Sequence, residues 1–174
     1  TLDPGQFRSG FAEIIKAGAI RDVSLFDYCA NNSVAALNNE EEVIIDMVYE
    51  SIRIKAEVVE KDEREKGERR LLNFGHTFAH ALEKTTGMLH GEAVSIGMVL
   101  AAGVSRNLGM IKEKDADRIA SVIENYNLPV RSPVPVTDLF TAMKQDKKRE
   151  GDTIHLVLLE SIGNAVTKKI RYSE

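Results

Sequence analysis

Four histidines occur in the 174 residues of this chain, and three of them lie within fifteen residues. His76 and His80 are four apart in a segment that is predicted to be helical, which places both imidazoles on one helix face. His90 follows at the turn before the next predicted helix. Two histidines on one helix and a third on the next turn are typical of a divalent metal site. The alternative is a chance spacing, with the rings packed or hydrogen-bonded.

A carboxylate that could complete such a site lies in the first predicted helix. Glu13 is flanked by apolar residues that should face the core, and a buried charge needs a partner or a metal. Lys16, one turn later, offers another interpretation, an exposed Glu–Lys pair that contributes little to stability. The spacing alone leaves both interpretations open.

Basic residues surround the histidines in the sequence. They are Lys55 in a long apolar helix, Arg69 and Arg70 before the histidine helix, and the pair Lys147 and Lys148. Taken singly, each is typical of a solvated surface. Together with a metal they could hold an anionic substrate, because Arg forks and Lys point charges bind phosphates and carboxylates.

The elements that must position these residues are mainly helices. Apolar residues at helical spacing, with their end signals, predict helices over residues 5–20, 23–30, 39–59, 71–85, 92–108, 113–126 and 136–145. Residues 61–70 are crowded with charge and are predicted to be an exposed turn. Residues 153–167 predict a β-hairpin around Gly163-Asn164. The expected fold is a single domain, residues 1–174, consisting of a helical bundle with a small C-terminal β-hairpin.

Three kinds of residue refine this outline. Asn39 is predicted to cap the long helix, and Gly87 is predicted to end the histidine helix. Gly97 and Gly103 predict close approach of a neighbouring backbone. Cys29 lies in an apolar stretch and is interpreted as a buried thiol rather than a nucleophile.

Composition narrows the classes of function. The chain is 43% hydrophobic and 29% charged with a net charge of −4, and its basic residues are spread out, so nucleic acid is not an expected partner. No apolar run reaches the roughly 18–20 residues of a membrane span. One cysteine rules out an internal disulfide, so a cytoplasmic location is the default expectation. Because the chain starts at Thr1 and runs into the helix signal Asp3-Pro4, we expect a fragment cut at a domain boundary.

Several blocks of the sequence, in this order, resemble the 3-dehydroquinate synthase family of sugar-phosphate cyclases. They are the segments 9–16, 55–59, 62–65, 71–80 and 89–92, then Asp146-Lys147-Lys148 and the tail 158–163. The blocks span nearly the whole chain but correspond only to the second domain of the family. The resemblance implies that a nucleotide-binding α/β domain, which holds NAD, precedes Thr1. This chain has no glycine-rich dinucleotide fingerprint, so we do not expect it to bind NAD alone.

The resemblance also implies residue roles. A zinc (or cobalt) ion is expected on Glu13, His76 and His90, which replaces the simple interpretation of His76 and His80 as a ligand pair. Catalytic roles are implied for Lys16, Asn73 and His80. Substrate-binding roles are implied for Lys55, Arg69, Asn73, His80 and Lys147, with Lys55 and Arg69 holding a carboxylate and His80 and Lys147 contacting the phosphate.

The implied reaction converts 3-deoxy-arabino-heptulosonate 7-phosphate to 3-dehydroquinate and phosphate in the shikimate pathway. It proceeds through transient oxidation of the C5 hydroxyl with NAD, elimination of phosphate, reduction, ring opening and an intramolecular aldol closure. Zinc suits this chemistry as a Lewis acid for vicinal hydroxyls. The implied partners are a sugar phosphate, the NAD domain and, in the full-length enzyme, a second subunit of a homodimer. The fragment alone is expected to be inactive.

One departure of this sequence from the synthase pattern keeps other functions open. His76 and His90 are fourteen residues apart, a shorter connection than typical synthases have and reminiscent of iron-type polyol dehydrogenases. Those enzymes usually have an aspartate and a histidine four apart on the first helix, but position 17, four after Glu13, is Ala17. Another sugar-phosphate cyclase is a further alternative, as is a non-enzymatic helical interaction domain with structural histidines.

Overall fold

The fold was analysed in a computed structural model that describes residues 3–62, 67–146 and 153–171, with the backbone alone for 144–146. Within these ranges, eight α-helices, one 3₁₀ helix and one β-hairpin follow each other. The bounds are α1 (Pro4–Arg21), α2 (Val23–Asn31), α3 (Ser33–Leu37), α4 (Glu41–Asp62), the 3₁₀ helix (Glu68–Asn73), α5 (His76–Thr86), α6 (His90–Asn107), α7 (Glu113–Asn125), α8 (Val136–Asp146), β1 (Thr153–Ser161) and β2 (Asn164–Arg171). No helix in these ranges is long and apolar enough to cross a bilayer. The predicted bundle with a terminal hairpin is confirmed.

The centre of the bundle is α1, which packs against α2, α4, α6 and β2. Asp3 begins this helix, since its carboxylate accepts a hydrogen bond from the Gly5 backbone N–H at 2.8 Å, and Pro4 follows at the first helical position. From Phe11 to Ile20 nearly every side chain is buried. A helix surrounded on most sides holds its few polar side chains in fixed positions, and Glu13 and Lys16 are two of them.

The hairpin is fixed to the helices at two points. The Gly163 N–H at its turn donates to the Ala19 carbonyl of α1 at 2.8 Å. The Leu159 N–H of β1 donates to the Ser105 hydroxyl of α6 at 3.0 Å. The strands pair antiparallel, with Val157 opposite Thr167, and β2 runs to Arg171, past the predicted end of the hairpin at residue 167.

Two predicted helix starts are wrong. The histidine helix begins at His76 rather than Leu71, because the residues before it form the 3₁₀ helix and Gly75 adopts a left-handed conformation with φ 80°. Asn39 does not cap α4. It ends α3, a helix that the sequence did not predict, with φ 61° and an N–H that donates to the Ala36 carbonyl.

Of the remaining predictions for helix ends and glycine contacts, the structure confirms some and contradicts others. The helix α4 runs to Asp62, so part of the predicted turn 61–70 is helical, and 63–66 lie outside the described residues. Gly87 ends α5 as predicted, with φ 69°. A Cβ on Gly97 would collide with the Gly75 carbonyl, which confirms the predicted close approach, but a Cβ on Gly103 would meet no heavy atom within 4 Å. The prediction for Gly103 is therefore wrong.

Cys29 is buried, as predicted. Burial raises the pKa of its thiol to about 12, so the thiolate is absent near neutral pH. Its carbonyl accepts a hydrogen bond from the hydroxyl of the fully buried Tyr126 at 2.8 Å. Cys29 therefore belongs to the core.

Candidate functional site

A carboxylate from α1 lies at the centre of the candidate site. Glu13 keeps 27% of its side chain exposed, whereas the neighbouring Lys16 keeps only 3%. The Lys16 ammonium donates to both Glu13 oxygens, at 2.8 and 2.9 Å, and the Lys55 Nζ of α4 lies 3.4 Å from Oε2. The Glu13–Lys16 pair is therefore not the exposed surface pair that was one of the two interpretations.

His76 is the first residue of α5, and its ring faces Glu13. The His76 Nε2 lies 3.9 Å from Glu13 Oε1, and its Nδ1 lies 3.3 Å from the Phe74 carbonyl oxygen. A proton on Nδ1, donated to that carbonyl, leaves Nε2 with a free lone pair. The close contact of Gly75 with Gly97 fixes this turn against α6, so the helix start that carries His76 is held by the fold.

His90 is the first residue of α6 and is half exposed. Its Nε2 also lies 3.9 Å from Glu13 Oε1, and its Nδ1 lies 2.9 Å from a carboxylate oxygen of Glu83. Gly91 allows this end of α6 to approach α1, because a Cβ there would collide with the Ser9 backbone. Both histidines thus present Nε2 to one oxygen, while each Nδ1 has its own acceptor.

These three side chains fit a divalent metal. One ligand atom from each lies within 4.8 Å of the others, the one such group found among the described residues. Zinc bonds to nitrogen and oxygen are roughly 2.0–2.2 Å long, so two ligands of one ion are at most about 4.2 Å apart. Both Nε2–Oε1 distances of 3.9 Å satisfy this limit. Three protein ligands of this type would leave a coordination position open, as catalytic zinc sites do.

The charge state of the cluster suits ligation. Burial and, after it, the Lys16 ammonium lower the pKa of His76 to about 4, so the ring is neutral at pH 7. Burial alone would raise the pKa of Glu13, but Lys16, assisted by Lys55 and His76, brings it below its usual range. Burial also lowers the pKa of Lys16, against the opposing effect of Glu13. The neutral imidazole and the carboxylate are the forms that bind metals.

A cavity of about 390 Å³ adjoins the cluster between α5, α8, the 3₁₀ helix and the hairpin. His76, His80 and Asn73 line it. The ring centroid of His80 lies 5.8 Å from that of His76, and His80 does not belong to the group of possible metal ligands. The structure therefore brings the predicted substrate residues Asn73 and His80 to one cavity beside Glu13, His76 and His90. These three side chains are called the metal cluster below.

Two of the other predicted substrate residues, Lys55 and Arg69, lie near the metal cluster and the cavity. Lys55 contacts Glu13, and Arg69 lies in an adjoining hollow of about 350 Å³ that shares Arg70 and Asn73 with the cavity. Lys147 lies outside the described residues. The roles of all these residues remain predictions.

Sequence reasoning missed three contributors. The sequence predicts only that Glu83 lies in a helix, but the structure places its carboxylate 2.9 Å from His90 Nδ1, where it can orient that ring. His155 was read only as part of the hairpin, but it lines the cavity, as does Thr167 on the opposite strand. No local sequence signal identifies these residues, since their roles arise from long-range packing.

The chain matches the family described as 3-dehydroquinate synthase C-terminal over residues 10–149 and belongs to that family. Similar proteins named 3-dehydroquinate synthase include one from Acidithiobacillus ferrooxidans, 44% identical over 170 residues, which covers 95% of this chain and 47% of that protein. Another, from Thermoanaerobacter pseudethanolicus, is 42% identical over 178 residues and covers 100% of this chain and 50% of that protein. The chain thus spans about half the length of the curated relatives it matches.

Solved structures share the fold. One is the 2-epi-5-epi-valiolone synthase ValA from Streptomyces hygroscopicus subsp. jinggangensis with NAD+ and Zn2+ bound, with a TM-score of 0.84 and 28% identity over 97% of this chain and 48% of that chain. A 2-deoxy-scyllo-inosose synthase in complex with carbaglucose-6-phosphate, NAD+ and Co2+ has a TM-score of 0.79 and 23% identity over 99% of this chain and 51% of that chain. The second similarity concerns the fold alone.

Proposed function

We propose that this chain is the metal- and substrate-binding half of a 3-dehydroquinate synthase, a phosphate-eliminating lyase. Its reaction would be the redox-neutral conversion of 3-deoxy-arabino-heptulosonate 7-phosphate to 3-dehydroquinate and phosphate. The observation that carries this proposal is the convergence of Glu13, His76 and His90 beside a basic cavity. Family membership and the 44% identity to a protein of that name support it.

The proposal assigns the metal to Glu13, His76 and His90 and a nucleotide cofactor to a separate N-terminal domain. When bound, zinc or cobalt would supply Lewis acidity at the substrate hydroxyls, and NAD would accept and return a hydride. Neutral His76 and ionised Glu13 keep their ligand atoms available, and Glu83 orients His90.

The remaining residues would act on the substrate directly. The Lys16 ammonium would stabilise oxygen atoms that gain negative charge beside the cluster, and its effect would be strong because only 3% of its side chain is exposed to water. Lys55 and Arg69 would hold the carboxylate, and Asn73 and His80 would orient the phosphate end in the cavity. Lys147 would contact the same phosphate.

The proposal is tested by assaying phosphate release and product formation with the heptulosonate phosphate, NAD and zinc. A protein that joins this chain to an N-terminal NAD domain should turn over, and this chain alone should not. Glu13→Gln in the two-domain protein serves as the control for metal-dependent activity. Oxidation of simple polyols without release of phosphate would contradict the proposal and favour a polyol dehydrogenase.

A second candidate is another sugar-phosphate cyclase, which the TM-score of 0.84 with ValA supports. The two candidates differ in what Lys55 and Arg69 should do. If the substrate carries a carboxylate, Lys55→Ala and Arg69→Ala should each raise its KM. A cyclase that prefers a sugar phosphate without a carboxylate would turn that substrate over faster, and Arg69→Ala would not change the KM for it.

A further inference from the structure

The cavity beside the metal cluster is assembled from parts of the chain that are distant in sequence. Arg70 comes from the 3₁₀ helix, His80 from α5, His155 from β1 and Thr167 from β2. Its volume of about 390 Å³ falls within the usual range of small-molecule pockets. His76 lines one side, so a molecule in the cavity would be in reach of the metal cluster.

No acidic side chain is found among the described residues that line this cavity. Arg70 and Lys84 line it as cations, and His80 and His155 offer ring nitrogens that can donate hydrogen bonds. Arg70 and His155 make no ion pair or side-chain hydrogen bond with any other described residue. A cavity that is lined by basic side chains, with no acidic side chain among its described lining residues, favours an anionic ligand.

The start of α5 adds to this preference. His76 and Thr77, its first two residues, both line the cavity. The N-cap residue Gly75 offers no side-chain acceptor, and the first turn holds no acidic residue, so backbone N–H groups are left for a ligand. The positive end of the helix dipole also favours an anion there.

We propose that Arg70 and His155 bind the phosphate group of the substrate in this cavity, together with His80. Neither residue belongs to the set for which the family resemblance implies a role. The inference rests on the proposed function for the identity of the substrate, but its chemistry requires only a phosphate. A phosphate held here fills part of the cavity, and the carbon chain extends past His76 toward the metal cluster.

The direct test is titration of this chain with inorganic phosphate, followed by calorimetry or by NMR of the histidine rings. Arg70→Ala and His155→Ala should each weaken phosphate binding about tenfold, the scale of one charge-assisted hydrogen bond. Arg70→Lys keeps a cationic donor and His155→Arg keeps a hydrogen-bond donor, so both variants should retain most of the affinity. Lys168→Ala removes an exposed hairpin lysine outside the cavity, near the Met110 sulfur, and should leave the affinity unchanged.

Circular dichroism of each variant separates lost binding from lost folding. If folded Arg70→Ala and His155→Ala bind phosphate as the parent does, or if Lys168→Ala weakens binding equally, the inference is overturned. In the two-domain protein, the same substitutions should raise the KM for the sugar phosphate about tenfold and leave its metal content unchanged. A protein that turns over normally with both substitutions keeps the proposed function and loses this inference. Absence of turnover in the parent removes the proposed function, and the phosphate titration still decides the role of the cavity.

Discussion

At the metal cluster, the basic groups meet acidic partners: Lys16 and Lys55 contact Glu13, and His90 contacts Glu83. In the adjoining cavity, none of the described lining residues is acidic, and Arg70 and His155 have no described side-chain partner. The two regions share His76 and the helix α5 that carries it. The cluster is thus suited to a cation and the cavity to an anion, as the proposed metal-assisted reaction on a phosphorylated substrate would require.

The largest expected effect is the loss of zinc affinity when a residue of the metal cluster is removed. His76→Ala should reduce zinc affinity more than about a hundredfold, because loss of a ligand exceeds the 10–100-fold effect of losing an outer-shell partner. Activity of the two-domain protein should disappear with the metal. Metal analysis after dialysis, with steady-state kinetics on the same sample, measures both. Retention of stoichiometric zinc by this variant would remove His76 from the ligand set.

Acid should lower the free energy of unfolding of the metal-free protein, and His76 is the residue responsible. The folded pKa of His76, about 4, lies below the 6.5 of an ordinary histidine, so the unfolded chain binds the extra proton first. The free energy of unfolding should therefore fall as pH drops from about 6.5 to about 4, by at most about 3 kcal/mol. The lowered pKa of Glu13 adds a loss of the same sign at still lower pH. Urea unfolding across this range measures the slope, and His76→Gln should flatten it.

In the cavity beside the metal cluster, His80→Ala should leave the zinc content near stoichiometric but lower the catalytic efficiency with the substrate. A charge-assisted contact to phosphate contributes roughly 1.5–3 kcal/mol, so we expect kcat/KM to fall about ten- to a hundredfold. The matched comparison is His76→Ala, one helical turn away. Equal loss of zinc in the two variants would show that His76 and His80 act as a ligand pair.

A smaller effect on zinc affinity is expected for Glu83, because it would act on the metal only through its contact with His90. Glu83→Gln keeps the shape but weakens the acceptor for His90 Nδ1, so zinc affinity should fall about tenfold. Competition with a chromogenic chelator gives the affinity, and phosphate binding in the cavity serves as an internal control that should not change. Unchanged zinc affinity would mean that the half-exposed His90 ring needs no such support.

The smallest expected effect concerns Gly103, where an added Cβ meets open space inside α6. Gly103→Ala should raise the free energy of unfolding by roughly 0.5–1 kcal/mol, since alanine is the better helix former. Gly97→Ala on the same helix should instead destabilise the fold and shift His76, because its Cβ would collide with the Gly75 carbonyl. Thermal unfolding of the two variants, with zinc content, separates helix propensity from positioning of the site.

The sequence by itself determined the helix periods, the hairpin and the residue types of the metal cluster. Those features depend on local rules: apolar spacing, a glycine or asparagine at a helix end, and motifs that stay together along the chain. The resemblance then selected His90 over His80 as the expected second histidine ligand. That choice agrees with the group of possible ligands that the structure brings together.

Only the tertiary structure decided which faces are buried and which distant residues meet. The helix α4 illustrates this, because Met47, Ile54 and Val58 are buried while Ile45 and Ile52, equally apolar, remain 56% and 59% exposed. Local periodicity cannot rank two apolar faces of one helix, since the choice depends on where α1 and the 3₁₀ helix pack. The position of His155 was hidden for the same reason, because its cavity exists only where the hairpin, fixed at Ala19 and Ser105, lies opposite α5 and α8.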